Sequence, residues 1–146
     1  MDGMTIALQE AEKALLEGEI PVGAALMRGD TLLWSDHNRR EQRHDPTAHA
    51  EMLCLRHGGI AAGDWRLEDC TLYVTLEPCP MCAGAMLMSR LGNCVFGVSD
   101  PQSGCCGSVY DLMADPALSG RGHWKEGERA EECASLLERF FAGRRR

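Results

Sequence analysis

The sequence predicts an α/β sandwich with parallel strands, and three observations carry that reading. Strand and helix patterns alternate after an initial hairpin, the order that builds parallel sheets. The run Thr71 to Thr75 is β-branched and aromatic, as a buried strand would be. The segment 79–89 is apolar nearly all round (Met81, Ala83, Gly84, Ala85, Met86, Met88), as a buried helix would be. A chain of 146 residues, 45% hydrophobic and 25% charged, is long enough to bury a core of its own. Residues 1–146 are therefore expected to form a single domain.

Taken in order, residues 5–17 read as an amphipathic helix, with Ile6, Leu8, Ala11 and Leu15 at helical spacing and Gly18 as its stop. Val22 to Met27 reads as a strand, Arg28-Gly29-Asp30 as a turn, and Thr31 to Ser35 as the hairpin partner. A polar, Arg-rich loop runs to Pro46. Thr47 is a candidate N-cap for a helix reaching about His57 and ended by Gly58-Gly59. After the strand at Thr71 to Thr75, Pro78 suits the start of a helix from about Cys79 to Ser89. Cys94 to Val98 is a further strand. A loop at 99–108 leads to a short helix near Tyr110 to Met113. A helix from about Arg129 to Ala142 ends the series, with Cys133, Leu136, Leu137 and Phe140 on its inner side.

Charge and cysteine usage narrow the class. The formal net charge of −7 argues mildly against a nucleic-acid partner. The distribution matters more: bases cluster at Arg39, Arg40 and Arg43 and again at Arg144, Arg145 and Arg146. No apolar run approaches the ~20 residues of a membrane helix. The N-terminus lacks a signal-like apolar stretch, so the expected location is the cytoplasm and no membrane is involved. Without a secretion signal, the eight cysteines do not read as a disulfide framework. Cys54, Cys70, Cys94 and Cys133 read as small buried hydrophobes.

Two short stretches carry chemistry. Thr47-Ala48-His49-Ala50-Glu51 and Glu77-Pro78-Cys79-Pro80-Met81-Cys82 together supply one imidazole, two thiols and a spare carboxylate. His49, Cys79 and Cys82 make three zinc ligands and leave a fourth coordination position for water. Zinc lowers the pKa of such a water towards ~7, giving a nucleophile that can attack an electron-poor ring carbon bearing an amine. Glu51 is then the general acid/base that moves protons to the ring and to the departing nitrogen. Taken singly, His49 would read as a cap or core residue and Glu51 as a solvated one. His-x-Glu followed by Pro-Cys-x-x-Cys is, however, a known signature of zinc-dependent deaminases. On a regular helix, positions i and i+2 face different ways, so the reading requires the first turn to lie end-on to the metal. Two other readings of the thiols remain open: a redox Cys-x-x-Cys pair, and a structural zinc site with Cys105 or Cys106 as fourth ligand.

The run from Arg43 to Glu51 and the run TLYVTLEPCPMCAG from Thr71 to Gly84 resemble the bacterial tRNA-specific adenosine deaminases, within the cytidine deaminase-like superfamily. The likeness extends to Ile20-Pro21-Val22-Gly23-Ala24, Trp65-Arg66-Leu67, Val95-Phe96-Gly97, Gly107-Ser108 and Phe140-Phe141, about residues 5–145. It implies a three-layer α/β/α sandwich around a mixed five-stranded sheet, and a zinc-dependent homodimer. It also implies conversion of adenosine to inosine at the wobble position of a tRNA anticodon, usually in an arginine tRNA. Carried over by position, His49, Cys79 and Cys82 bind one zinc per subunit and Glu51 moves the proton. Asn38 contacts the target nucleotide, and Val22 and the Ala48 backbone line the base pocket. Asp100 lies in an anticodon-contacting loop, and Phe141, Arg144 and Arg145 touch flanking nucleotides. The two Arg clusters then read as phosphate contacts. The likeness departs at Ser119-Gly120, where an Asn-His pair is usual, and at Gly122-His123-Trp124-Lys125, where a β-branched strand is usual. Pro101-Gln102 stands where a basic residue is common.

Two alternative functions follow from the same residues. One is deamination of free nucleobases or nucleosides such as guanine or cytosine. The other is a non-catalytic, zinc-stabilised interaction module, which the spare Glu51 beside an incomplete ligand set disfavours.

Overall fold

Five strands, β1 (Gly23–Arg28), β2 (Thr31–His37), β3 (Thr71–Leu76), β4 (Asn93–Val98) and β5 (His123–Lys125), lie in one sheet in the order β2-β1-β3-β4-β5. The computed structural model describes residues 1–144, and counts of elements refer to these. The sheet is mixed. β1 pairs antiparallel with both β2 and β3, while β3, β4 and β5 run parallel. The parallel half matches the order of elements in the sequence. The antiparallel half arises because the hairpin turns back on itself at Gly29, whose φ of +59° suits glycine.

The helices are α1 (Gly3–Leu16), α2 (Arg40–Arg43), α3 (Ala50–Ala62), α4 (Pro80–Met88) and α5 (Ala130–Ala142). α1 and α5 cover one face of the sheet, where Met4, Ala7, Leu8 and Ala11 meet Cys133, Leu136, Tyr73 and Val95. α3 and α4 cover the other, where Ala50, Cys54, Leu55 and Met86 pack on Leu26, Leu72, Val74 and Phe96. The result is three layers, α/β/α. β1 lies between two strands and two helices, and five of its six residues are buried. Truncating a large, fully buried residue such as Phe96 to Ala would cost about 3–5 kcal/mol.

Several boundaries differ from the sequence reading. α1 starts earlier because the Asp2 carboxylate accepts the Thr5 N–H at 2.9 Å and caps the first turn. His49, not Thr47, is the N-cap of α3. The Asp45 carboxylate takes the Thr47 N–H and hydroxyl at 2.8 and 2.7 Å, holding Thr47 in the preceding turn. α3 runs through Gly58-Gly59 and ends at Gly63, whose φ is +72°. Gly58 is a packing glycine: a Cβ there would fall 2.3 Å from the Leu26 side chain. Pro80, not Pro78, occupies the first turn of α4.

The segment Tyr110 to Met113 is not helical. It forms a bridge between Cys106 and Asp111, and the nearest helical turn is a 3₁₀ turn at Pro116–Leu118. The last strand forms despite its atypical residues. Trp124 supplies the apolar surface, tilted against Phe96 at 5.9 Å, and donates its indole N–H to Asp111 at 3.0 Å. Among the described residues, no helix is long and apolar enough to cross a membrane.

Candidate metal centre and active site

Two helix N-termini converge at the carboxyl end of the sheet. His49 caps α3 with extended backbone (φ −77°, ψ 152°), and Cys79 caps α4 in the same way (φ −75°, ψ 175°). Cys82 and Glu51 lie in the first turns that follow. Because His49 stands just before its helix and Glu51 just inside it, both reach one site, which meets the end-on requirement set by their spacing. Both helix ends point free N–H groups and partial positive charge at the site, which favours thiolates and carboxylates there.

The donor set fits zinc. His49 Nδ1 lies 3.6 Å from Cys79 Sγ and 3.6 Å from Cys82 Sγ, and the three donor atoms all fall within 4.8 Å of one another. Tetrahedral zinc with bonds of ~2.3 Å to sulfur and ~2.0 Å to nitrogen would set those atoms about 3.6 Å apart. The alternative fourth ligands lie elsewhere. The Cys105 thiol donates to the Ser103 carbonyl at 3.7 Å, and neither Cys105 nor Cys106 joins the cluster among the described residues. All eight cysteines are free thiols, and Cys54, Cys70, Cys94 and Cys133 are buried as small hydrophobes.

Electrostatics prepare the site. Accepting a hydrogen bond from Cys82, with a further contribution from His49, pulls the Cys79 thiol down to about 4. Cys82, the donor in that pair and buried as well, is raised. His49 is raised, chiefly by its hydrogen bond to Cys79. Glu51 is buried, and burial pushes its carboxyl up to about 7, against the smaller opposing pull of its own backbone N–H and of His49. A carboxyl in that range can hold or release a proton at neutral pH.

The comparisons with known proteins agree with this geometry. The model of the cytidine and deoxycytidylate deaminase zinc-binding region matches residues 2–98, a span containing all three donors and Glu51. The tRNA-specific adenosine deaminase of Bacillus subtilis (strain 168) is 44% identical over 138 residues, 94% of this chain and 86% of that protein. The Aquifex aeolicus (strain VF5) protein described in the same words is 40% identical over 94% of this chain and 91% of its own. The chain belongs to the tRNA-specific adenosine deaminase family. A solved structure from work on A-to-I editing by tRNA:A34 deaminases superposes with a TM-score of 0.87 at 35% identity, covering 92% of this chain and 97% of that one. The guanine deaminase of Nitrosomonas europaea superposes with a TM-score of 0.81 at 22% identity, covering 95% and 82%, which speaks for the fold alone. Zinc is the cofactor of this deaminase.

Within the deaminase, three residues of the expected base pocket are knitted into one strip beside His49. The Asn38 N–H donates to the Val22 carbonyl at 3.0 Å, and the Arg39 N–H donates to the Ala48 carbonyl at 3.0 Å. Asn38 is buried, with its side chain held by the Ile20 carbonyl and the Arg40 N–H at 3.3 and 3.1 Å. Asp100 lies at the carboxyl end of β4, where its carboxylate accepts from the Gln102 N–H and the Ser103 hydroxyl. Phe141 lies in the last turn of α5 and Arg144 just past its end. Phe141 is exposed, while Arg144 donates to the Gly18 carbonyl at 2.9 Å and stacks over Phe140. Arg145 and Arg146 lie outside the described residues.

The basic cluster before His49 is only partly free. Arg39 is tied to Asp36 at 2.7 Å and lies 3.9 Å from Glu17, whereas Arg43 is exposed. Two buried acids to which the sequence assigned no role shape the neighbourhood, Glu19 and Glu77. Glu19 accepts the Glu41 and Gln42 N–H groups at 3.0 and 2.8 Å, fixing the start of α2. The available signal for Glu77 was its position, an acid between an apolar strand and the Pro-Cys turn.

Proposed function

We propose that this deaminase converts adenosine to inosine at the wobble position of a tRNA anticodon, releasing ammonia. One observation carries the reading: a buried carboxyl poised near neutrality stands beside a three-donor zinc site, in a chain aligned almost end to end with tRNA-specific adenosine deaminases. His49, Cys79 and Cys82 would hold the metal. When bound, zinc supplies a nucleophile at neutral pH by acidifying water.

Glu51 performs the proton transfers. Hydrolysis consumes one water, which adds at C6 of the adenine and loses its protons in turn. Glu51 takes the first proton and delivers it to N1 of the ring. It then carries the second to the departing amine, which leaves as ammonia once protonated. Val22, Asn38 and the Ala48 backbone would form the wall that orients the base. Asp100 and the end of α5, with Phe141, Arg144 and Arg145, would contact neighbouring nucleotides, and exposed Arg43 would meet phosphate. An arginine tRNA is the proposed substrate.

A homodimer is supported by an apolar groove of about 730 Å³ between α3 and α4, lined by Met52, Leu55, Ile60, Trp65, Ala85 and Met88. Ile60 and Met88 are 75% and 73% exposed, which is costly for a lone chain and fits a second copy of the same surface. Eight free thiols suit the reducing cytoplasm, the proposed location.

The test is deamination of an anticodon stem-loop carrying ACG. Adenosine is converted to inosine by the wild-type protein and not by Glu51→Ala. Turnover of free guanine or cytosine without RNA activity would overturn the substrate assignment.

A further inference from the structure

Glu77 is the residue between β3 and the Pro78-Cys79 turn, and its side chain does not face solvent. It is 2% exposed. Its N–H donates to the Val98 carbonyl at 2.9 Å, extending the pairing of β3 with β4. Its carboxylate reaches across into the loop that follows β4. Oε1 accepts the Asp100 N–H at 2.9 Å and the Ser108 hydroxyl. Oε2 accepts the Cys106 and Ser108 N–H groups, each at 3.0 Å. Four N–H and O–H donors thus converge on one buried carboxylate and satisfy both of its oxygens.

The same loop is fastened to the metal-ligand turn by a second bond, from the Cys105 N–H to the Pro78 carbonyl at 2.8 Å. Loop 99–108 thus stands against the segment that presents Cys79. Gly104 shows how closely it fits. A Cβ at 104 would lie 2.3 Å from the Glu77 carboxyl carbon and 2.4 Å from both oxygens. A carboxylate pinned by four donors cannot move aside without losing some of them. The carboxylate at 77 and a side chain at 104 therefore exclude one another.

We infer that Glu77 is a positioning residue, whose carboxylate holds loop 99–108 in the shape that receives the RNA beside the zinc site. The inference rests on the proposed tRNA substrate. It separates two effects that a buried acid next to a metal ligand would ordinarily combine. Glu77 bonds to no metal-donor atom, so zinc retention does not depend on it. The Asp100 and Ser108 ends of the loop do.

The test uses the zinc-loaded protein and an ACG anticodon stem-loop. For Glu77→Ala, KM rises about tenfold and kcat falls less than threefold, while zinc stays near one per chain. Glu77→Gln, which keeps the volume and one acceptor oxygen, gives a smaller rise and serves if the alanine variant does not fold. Gly104→Ala reproduces the KM effect. Adding it to Glu77→Ala raises KM by less than a further twofold, because the group it strikes is gone. Hydrogen exchange at the Asp100, Cys106 and Ser108 amides is slow in the wild-type protein and fast in Glu77→Ala.

Loss of zinc, a fall in kcat at constant KM, or multiplication of the two KM effects in the double variant would overturn the positioning role. A wild-type protein inert on the stem-loop would instead overturn the substrate reading, while slow amide exchange released by Glu77→Ala would uphold the hold on the loop.

Discussion

His49 and Glu51 are two residues apart and serve one site, because His49 is the extended N-cap of α3 and Glu51 belongs to its first turn. The break in backbone conformation between them turns both side chains towards Cys79 and Cys82. The proposed ligand and the proposed proton carrier are thereby set side by side by one helix start.

In the proposed mechanism Glu51 moves protons and is not a metal donor. Glu51→Gln should therefore lower kcat by about 10²- to 10⁴-fold while zinc per chain, read by atomic spectroscopy, stays unchanged. A variant that lost its zinc would instead place Glu51 among the ligands.

The donors behave oppositely. Cys82→Ser and His49→Ala should each lose zinc and activity together, and chelation of the wild-type protein should abolish turnover until zinc is restored. Zinc titration followed by an activity assay checks this. Full activity in protein shown to be metal-free would exclude a zinc mechanism.

A pH effect on stability comes from the other side of the sheet. His37 Nδ1 meets Glu10 Oε1 at 2.7 Å and His37 Nε2 meets Glu17 Oε1 at 2.7 Å. Burial opposes charge at both Glu10 and His37. Hydrogen bonds from His37, Lys13 and Ser35 nevertheless take Glu10 down to about 2, and bonds to Glu10 and Glu17 raise His37. For Glu10, the stabilisation is present above its unfolded value of ~4.5 and is lost as pH falls towards 2, a loss on the order of 2 kcal/mol. For His37, it is complete below ~6.5 and is lost as pH rises through its raised folded value. The stability difference between wild type and His37→Asn should accordingly peak between about pH 4.5 and 6.5. Urea unfolding of both zinc-loaded proteins from pH 3 to 9 measures it, and taking the difference cancels the shared pH dependence of metal binding. A difference independent of pH would show that the imidazole is not charged in the folded protein.

The groove between α3 and α4 should close against a second copy. Ile60→Glu or Met88→Glu places a charge in that apolar surface and should shift the protein from dimer to monomer at micromolar concentration, as measured by light scattering. A wild-type protein already monomeric there would assign the groove another role.

Gly58 lies on the α3 face that meets β1. Gly58→Ala should destabilise the fold by about 1–3 kcal/mol, since the added methyl strikes Leu26 in a filled core. Thermal unfolding measures the loss, and an unchanged midpoint would mean that Leu26 can repack.

By itself, the sequence determined the α/β class, most elements to within a few residues, and the grouping of His49, Glu51, Cys79 and Cys82 at one site. These depend on local spacing: apolar periodicity, a Cys-x-x-Cys interval and a proline at a helix start. At two misplaced elements a distant partner had overruled the local signal. Gly58-Gly59 reads as a helix stop, yet Leu26 from β1 needs the space that a glycine leaves. Tyr110 to Met113 reads as helical, yet the Cys106–Asp111 bridge and the Trp124 indole hold it extended. The tertiary structure alone decided which charges are free and which are spent. Arg39 looks like a phosphate contact in the sequence but is bound by Asp36. Glu77 has no assigned role in the sequence but lies in the interior, where it accepts bonds from the loop after β4. The physical reason is that a charge's role depends on what lies within a few ångströms of it, and for Glu77 those neighbours are set by folding across more than 20 residues of chain (Glu77 to Asp100 spans 23, and Glu77 to Ser108 spans 31).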